Sequence, residues 1–216
     1  MPTTDPVGTA GRRQSKSEAT RARIITAAAK VLAETGFGHT RLSAIADEAG
    51  MQIGSLYYYF GSKDELVEAA LGEAGALIHR AVYSAVDDLP ETATPGERLS
   101  TAVRSIIRVR IEVGNMSAAH IRNYRDVPKE MRDRLRPSLE RFSEFWAALV
   151  HDAVESGEIR SDIDPRILHM FVFHTSEQIS KWPAALTTST ADTVEVMHRL
   201  ILAGLRDRDD GGDART

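Results

Sequence analysis

Three consecutive tyrosines, Tyr57, Tyr58 and Tyr59, followed four residues later by Lys63, form the most informative group of chemically useful side chains in this sequence. Successive helical residues point about 100° apart, so one face cannot bury all three rings. At least one phenol is therefore exposed close to an ammonium, a pairing suited to phosphate. Just ahead stand Gln52, Ile53, Gly54 and Ser55, and before them Thr40 and Arg41. Gln52 has the carboxamide that reads an adenine edge, and Gly54 lets a partner surface approach the backbone. This is the chemistry of a surface laid against DNA.

The elements that must position these groups run from Thr40 to Leu66. Thr40 reads as an N-cap whose hydroxyl accepts from an otherwise unpartnered N–H. Leu42, Ile45, Ala46 and Ala49 follow at helical spacing, and Gly50 stands where the chain must enter the left-handed conformation. Met51 and Leu56 point inward, leaving Gln52, Ile53, Ser55, Tyr57 and Tyr58 outward. Ser62-Lys63-Asp64-Glu65 fits a capping box, and Lys63 in the first turn adds a cation to free N–H donors and the helix dipole. The pattern predicts a helix-turn-helix.

Gly36-Phe37, Thr40, Ile45-Ala46, Ala49-Gly50, Gly54, Leu56 to Phe60, Ser62-Lys63 and Glu65-Leu66 together resemble the N-terminal signature of the TetR family of transcriptional repressors. The likeness spans about Ser17 to Leu66. It implies an all-α homodimer, with three N-terminal helices for DNA and a helical C-terminal domain for a ligand. It places DNA contacts on Thr40, Arg41, Gln52, Ile53, Gly54, Tyr57, Tyr58, Tyr59 and Lys63; Ser55 joins them on the outer face. Gln52 replaces the family's usual small hydroxyl, and Ile53 a frequent lysine.

Charge divides along the chain in keeping with this. Residues 1–63 hold eight basic and five acidic residues, net +3, whereas the remainder holds 19 and 26, net −7. The whole-chain pI near 6.0 hides a locally basic face. With no cysteine, disulfides and thiolate metal sites are excluded. No apolar run reaches membrane-spanning length and no secretory leader is visible, so a soluble cytoplasmic protein without membrane partners is expected.

Along the chain, residues 1–14 read as a disordered arm whose Arg12 and Arg13, with Lys16, are available to the minor groove. Residues 15–61 form the helix-turn-helix domain, its first helix opening at the capping-box spacing Ser15 to Glu18. Residues 62–206 form a ligand-binding and dimerisation domain, and 207–216 a charged disordered tail. About nine helices are predicted in all. After one from Ser62 to about Leu89 they span about 97–113, 116–125, 128–155, 165–182 and 191–205, with Asp164 capping at Pro165. Pro90 to Gly96 reads as a loop.

The larger domain carries aromatic and polar residues suited to a small apolar effector: Tyr124, Phe142, Phe145, Trp146, His169, Phe171, Phe173, His174, Gln178 and Trp182. Some are core or dimer contact instead. The resemblance adds Ile106 and Arg110, and Tyr124 again, from helices that face the family's pocket. Trp182-Pro183 and the closing helix resemble the acyl-CoA-responsive branch. No nucleophile elbow, phosphate-binding loop or metalloprotease motif is present, and no cofactor is expected. Glu195-Val-Met-His198 has di-iron spacing but no second copy. The expected function is a repressor that binds a palindromic operator and is released by its effector. The alternative is an all-helical ligand-binding protein or enzyme retaining the motif. Val196 and Leu200 widen the apolar arc of the last helix, as a homodimer seam would require.

Overall fold

The structure, a computed structural model, describes residues 7–114, 123–178, 182 and 189–205, with side chains described from residue 16 onward except that of residue 177. The described residues form eight helices and no strand: α1 Val7–Thr35, α2 Leu42–Glu48, α3 Ile53–Tyr59, α4 Lys63–Asp87, α5 Pro95–Val113, α6 Lys129–Glu155, α7 Pro165–Gln178 and α8 Thr190–Leu205. Most of the predicted helix 116–125 and the tail 207–216 lie outside the described residues. The helix predicted from Ser15 starts at Val7 instead, so Ser15 to Glu18 are interior rather than a cap. No proline interrupts the chain between Pro6 and Gly36, and Thr20 Oγ1 donates to the Lys16 carbonyl at 2.9 Å as an interior residue does.

The chain packs as two units, one of residues up to 75 with the segment ending at 136, the other of 76–114 with the chain from 137. The first has its own core: Ile24, Ala28 and Leu32 of α1, Ile45 and Ala46 of α2, Leu56 of α3, and Leu66, Val67 and Leu71 of α4. Val127 and Met131 join it, and the buried Asn123 side chain donates to the Leu32 carbonyl at 3.1 Å. The head thus extends past the sequence-based boundary at residue 61, because the apolar stripe of α4 completes its core. Beyond Gly75, α4 supplies Ile78, Val82 and Val86 to the second core, with α5, α6, α7 and α8.

Two local devices order the second unit. Thr94 and Glu97 form a reciprocal capping box at α5, with Pro95 in the first helical position; the chain assigned to a loop up to Gly96 is already helix. The Glu158 carboxylate accepts from Thr94 Oγ1 at 2.7 Å and from Gly96 N–H at 3.0 Å. Those bonds hold Glu158 below the usual carboxylate range. At α7, Asp164 accepts from the Arg166 N–H at 2.8 Å, the cap expected there. The Arg166 side chain first, then the backbone N–H groups of Arg166 and Ile167, lower the Asp164 carboxyl to about 2.

Candidate functional site

The turn between α2 and α3 is built as its sequence demands. Gly50 has φ +63°, its N–H reaches the Asp47 carbonyl at 3.0 Å, and Met51 N–H reaches Ala46 at 3.0 Å. These are the two bonds of a Schellman stop, and they aim α3 away from α2. Leu56 is fully buried and Tyr59 partly so, which turns the opposite side of α3 outward. Tyr57 and Tyr58 are 52% and 83% exposed, so two of the three phenols are free of the core. Gln52, Ile53, Gly54 and Ser55 share the exposed surface.

Gln52 is the N-cap residue of α3, but its carboxamide makes no cap hydrogen bond. Only its backbone carbonyl serves the helix, accepting from Ser55 and Leu56. The carboxamide is therefore available to another molecule. At Gly54, a Cβ would meet nothing within 4 Å, and φ is not in the left-handed region. Nothing in the packing of the described residues calls for glycine there, whereas close approach by a partner would. Replacing it separates the two demands. Gly54→Ala should stabilise the head by ~0.4–1 kcal/mol through lost unfolded-state freedom, yet weaken DNA binding. Melting followed alongside an operator titration checks both signs.

Two predicted positions behave differently from expectation. Thr40 is buried and does not cap α2, whose N-cap is Arg41. The Thr40 hydroxyl donates back to the Gly36 carbonyl at 2.8 Å and lies 3.0 Å from Thr35 Oγ1, fastening the end of α1. A buried hydroxyl takes the nearest carbonyl, and here the preceding turn is nearer than α2. Arg41 itself is exposed. Lys63 is half-buried: its ammonium donates to the Phe37 carbonyl at 2.7 Å and sits 4.6 Å from the Phe37 ring centre. Ser62 does cap α4, accepting from Glu65 N–H at 3.1 Å, while the Glu65 carboxylate reaches back to Gly61 N–H at 2.8 Å.

The second unit holds a connected layer of rings. His79 stacks on Phe142 at 4.0 Å, Phe142 meets Trp146 at 6.3 Å and Phe173 at 5.5 Å, and Phe145 packs edge-on to Tyr83 at 4.7 Å. His169 stacks on Trp146 at 6.0 Å, and the buried Arg110 lies over the Phe173 ring at 4.9 Å. Ile106 is wholly buried in the same core. Among the expected ligand residues, Ile106, Arg110, Phe142, Phe145 and Trp146 are thus brought together. His79 and Tyr83 were missed; four residues apart on α4, they share one face, and that spacing was the available signal. Phe171, His174 and Gln178 are exposed instead, because α7 turns Leu168 and Val172 to the core. Trp182 is 36% exposed and Tyr124 belongs to the first unit, its hydroxyl 3.5 Å from the Arg132 carbonyl.

His169 and His174 point to different faces, as their spacing requires. Burial first, then the positive charges of Arg110 and His174, lowers His169 to about 4. In an unfolded chain the imidazole protonates near pH 6.5, so stability should decline as pH falls from about 6.5 toward 4, where the folded ring finally takes its proton. Chemical denaturation at pH 7, 5.5 and 4.5 should show that slope, and His169→Phe should flatten it. Glu195 and His198 are engaged by α5: Arg104 pairs with Glu195 and lies 3.1 Å from His198 Nδ1, and Ser100 Oγ lies 2.8 Å from Nε2. Among the described residues no group of three metal-ligating side chains gathers, and no described helix is long and apolar enough to cross a membrane.

Comparison with known proteins agrees with both units. Residues 24–70 match the bacterial regulatory proteins of the tetR family, and residues 92–205 match the tetracyclin repressor-like C-terminal domain. The HTH-type transcriptional repressor KstR2 of Rhodococcus jostii (strain RHA1) is 27% identical over 214 residues, which cover 94% of this chain and 96% of that protein. The solved structure of the ketosteroid transcriptional regulator KstR2 of Mycobacterium tuberculosis shares the fold, with TM-score 0.75, 23% identity and coverage of 87% of this chain and 95% of that one. So does AibR in complex with isovaleryl coenzyme A and operator DNA, with TM-score 0.72, 21% identity and coverage of 84% and 97%. With the family's N-terminal domain matched in one unit and its C-terminal domain spanning most of the other, the chain belongs to the TetR family and is a helix-turn-helix transcriptional regulator.

Proposed function

We propose that this regulator is a cytoplasmic homodimeric repressor that lies on a palindromic operator and is released by a small, largely apolar effector. The observation that carries the DNA part is the outer face of α3, where Gln52, Ile53, Ser55, Tyr57 and Tyr58 surround an unfilled Gly54. On this reading Gln52 meets an adenine edge, and Arg41, the exposed tyrosines and Lys63 meet phosphates. Thr40 supports them from inside. Gln52→Ala should relax base preference at one position per half-site. Lys63→Ala should weaken binding about equally on all sequences and reduce the salt slope by ~1. A loss of affinity without a change of slope would mean that Lys63 only pins the Phe37 loop.

The effector part rests on the ring layer and on what similar proteins bind. AibR was solved with isovaleryl coenzyme A, and the M. tuberculosis neighbour is named for ketosteroids. We read the layer of Phe142, Trp146 and Phe173 as the wall of an effector chamber. Because α4 contributes to both cores, an effector that prefers one placement of α4 lowers operator affinity through that preference, typically ~1–3 kcal/mol. Acyl-CoA thioesters and steroids, titrated into the protein bound to its operator, should change tryptophan emission and release the DNA together. A change of emission without release would sink the induction model.

The homodimer rests on an exposed apolar face. Ile167, Met170 and Phe171 of α7 are exposed and line a groove of about 480 Å³ with His174. Val196 and Leu200 of α8 are also exposed. A second copy presenting the same surface covers it by two-fold symmetry.

A further inference from the structure

Among the described residues, two aromatic ring atoms of the layer make no hydrogen bond: the indole N–H of Trp146 and Nε2 of His169. Trp146 is wholly enclosed, and its ring stacks on that of His169 with planes 18° apart. Phe173 stands edge-on to His169 at 4.4 Å. An indole N–H can only donate, so an acceptor alone satisfies it. Burying a donor without one carries a standing cost in free energy. His169 also lines a cavity of about 330 Å³ with Glu144, Ala147, Pro165, Arg166 and Met170, so the pair is approached from its histidine side.

We propose that Trp146 Nε1–H and His169 Nε2 form the polar end of the effector chamber and together hold one uncharged oxygen, a carbonyl or hydroxyl, on an apolar ring-bearing ligand. The inference rests on the reading of this unit as effector-binding. The oxygen is uncharged because the two atoms that meet it are dipoles, an indole N–H and a ring nitrogen. Burial keeps His169 neutral at physiological pH, and Arg110, stacked on Phe173, already has an interaction partner of its own. A carboxylate seated between the two rings would give up its water for two dipoles. The stiff aromatic surroundings of the pair, Phe173 edge-on to His169 and Phe142 beside Trp146, favour a rigid ring over a flexible chain, which loses more freedom on binding.

The test is a matched series of decalin, 2-decalone and decalin-2-carboxylate, titrated calorimetrically into the full-length dimer. The ketone should bind about tenfold tighter than the hydrocarbon, the worth of one well-made buried hydrogen bond, and the carboxylate weakest. Trp146→Phe should erase the ketone's advantage while leaving decalin within about twofold, and His169→Leu should reduce that advantage. The chain has two tryptophans, so the indole N–H signal lost in Trp146→Phe identifies Trp146 by NMR; the ketone should move it downfield in the unmutated protein and decalin should not. Equal binding of decalin and decalone, tighter binding of the carboxylate, or a preference that survives both substitutions overturns this inference alone. Failure of all three compounds to bind or shift the indole signal overturns the chamber reading with it.

Discussion

Val196→Glu combined with Leu200→Glu should turn the protein into a monomer that keeps its helices and loses operator binding by ~10²-fold or more, the gain that linking two half-sites normally supplies. The two side chains are 48% and 67% exposed on α8, beyond the stripe of Val194, Met197 and Ile201 that faces the core. The substitutions therefore leave the internal packing intact. In a symmetric pairing each glutamate is repeated by the partner, so the contact gathers four carboxylates, and like charge with lost burial both oppose association. Sedimentation velocity reads the mass, circular dichroism the helix content, and fluorescence anisotropy the operator. A double mutant that still sediments as a dimer would place the interface elsewhere.

The second large effect belongs to the head. Leu56 is wholly buried in the core shared with α1 and α2, and it is the one fully buried residue of α3, with Tyr59 packed partly against that core. Leu56→Ala removes three carbons from a site with no solvent to fill it, at a cost of ~2–5 kcal/mol. Such a loss is a large part of a small domain's stability, so α3 should fray and operator binding should disappear. Both tryptophans belong to the second unit, so native emission should persist while hydrogen exchange accelerates over residues 24–71. Protection unchanged over those residues would show that α3 is held by something other than Leu56.

Much of the head was legible because its signals are local. Gly50 does take positive φ, Ser62 does cap α4, and the three tyrosines do divide between surface and core. Each follows from a few neighbouring residues and the 3.6-residue period. Thr40 was misread as a cap because a cap and a back-bonded hydroxyl have the same composition, and only the path of Gly36 to Phe37 separates them. Thr94 and Glu97 carried the right spacing with a proline between them, yet Pro90 to Gly96 as a whole resembled a loop. The chamber was read least well. Ring content pointed to α6 and α7, but whether Phe171 or Phe173 turns inward depends on how α7 is rolled against α5 and α8. That is a long-range choice which periodicity leaves open when both faces are apolar. His79 and Tyr83 escaped notice for a related reason, lying on a helix whose earlier turns serve the other core.

The central claim is that the outer face of α3 reads DNA and that occupancy of the second unit weakens that reading. A gel-shift titration on the upstream region of the protein's own gene, with and without a compound shown to bind the second unit, tests both halves at once. One retarded complex of dimer stoichiometry is expected, abolished by Gln52→Ala with Tyr57→Ala and dissolved by the compound. A complex that ignores both changes, or no complex on that DNA or any genomic fragment, would contradict it.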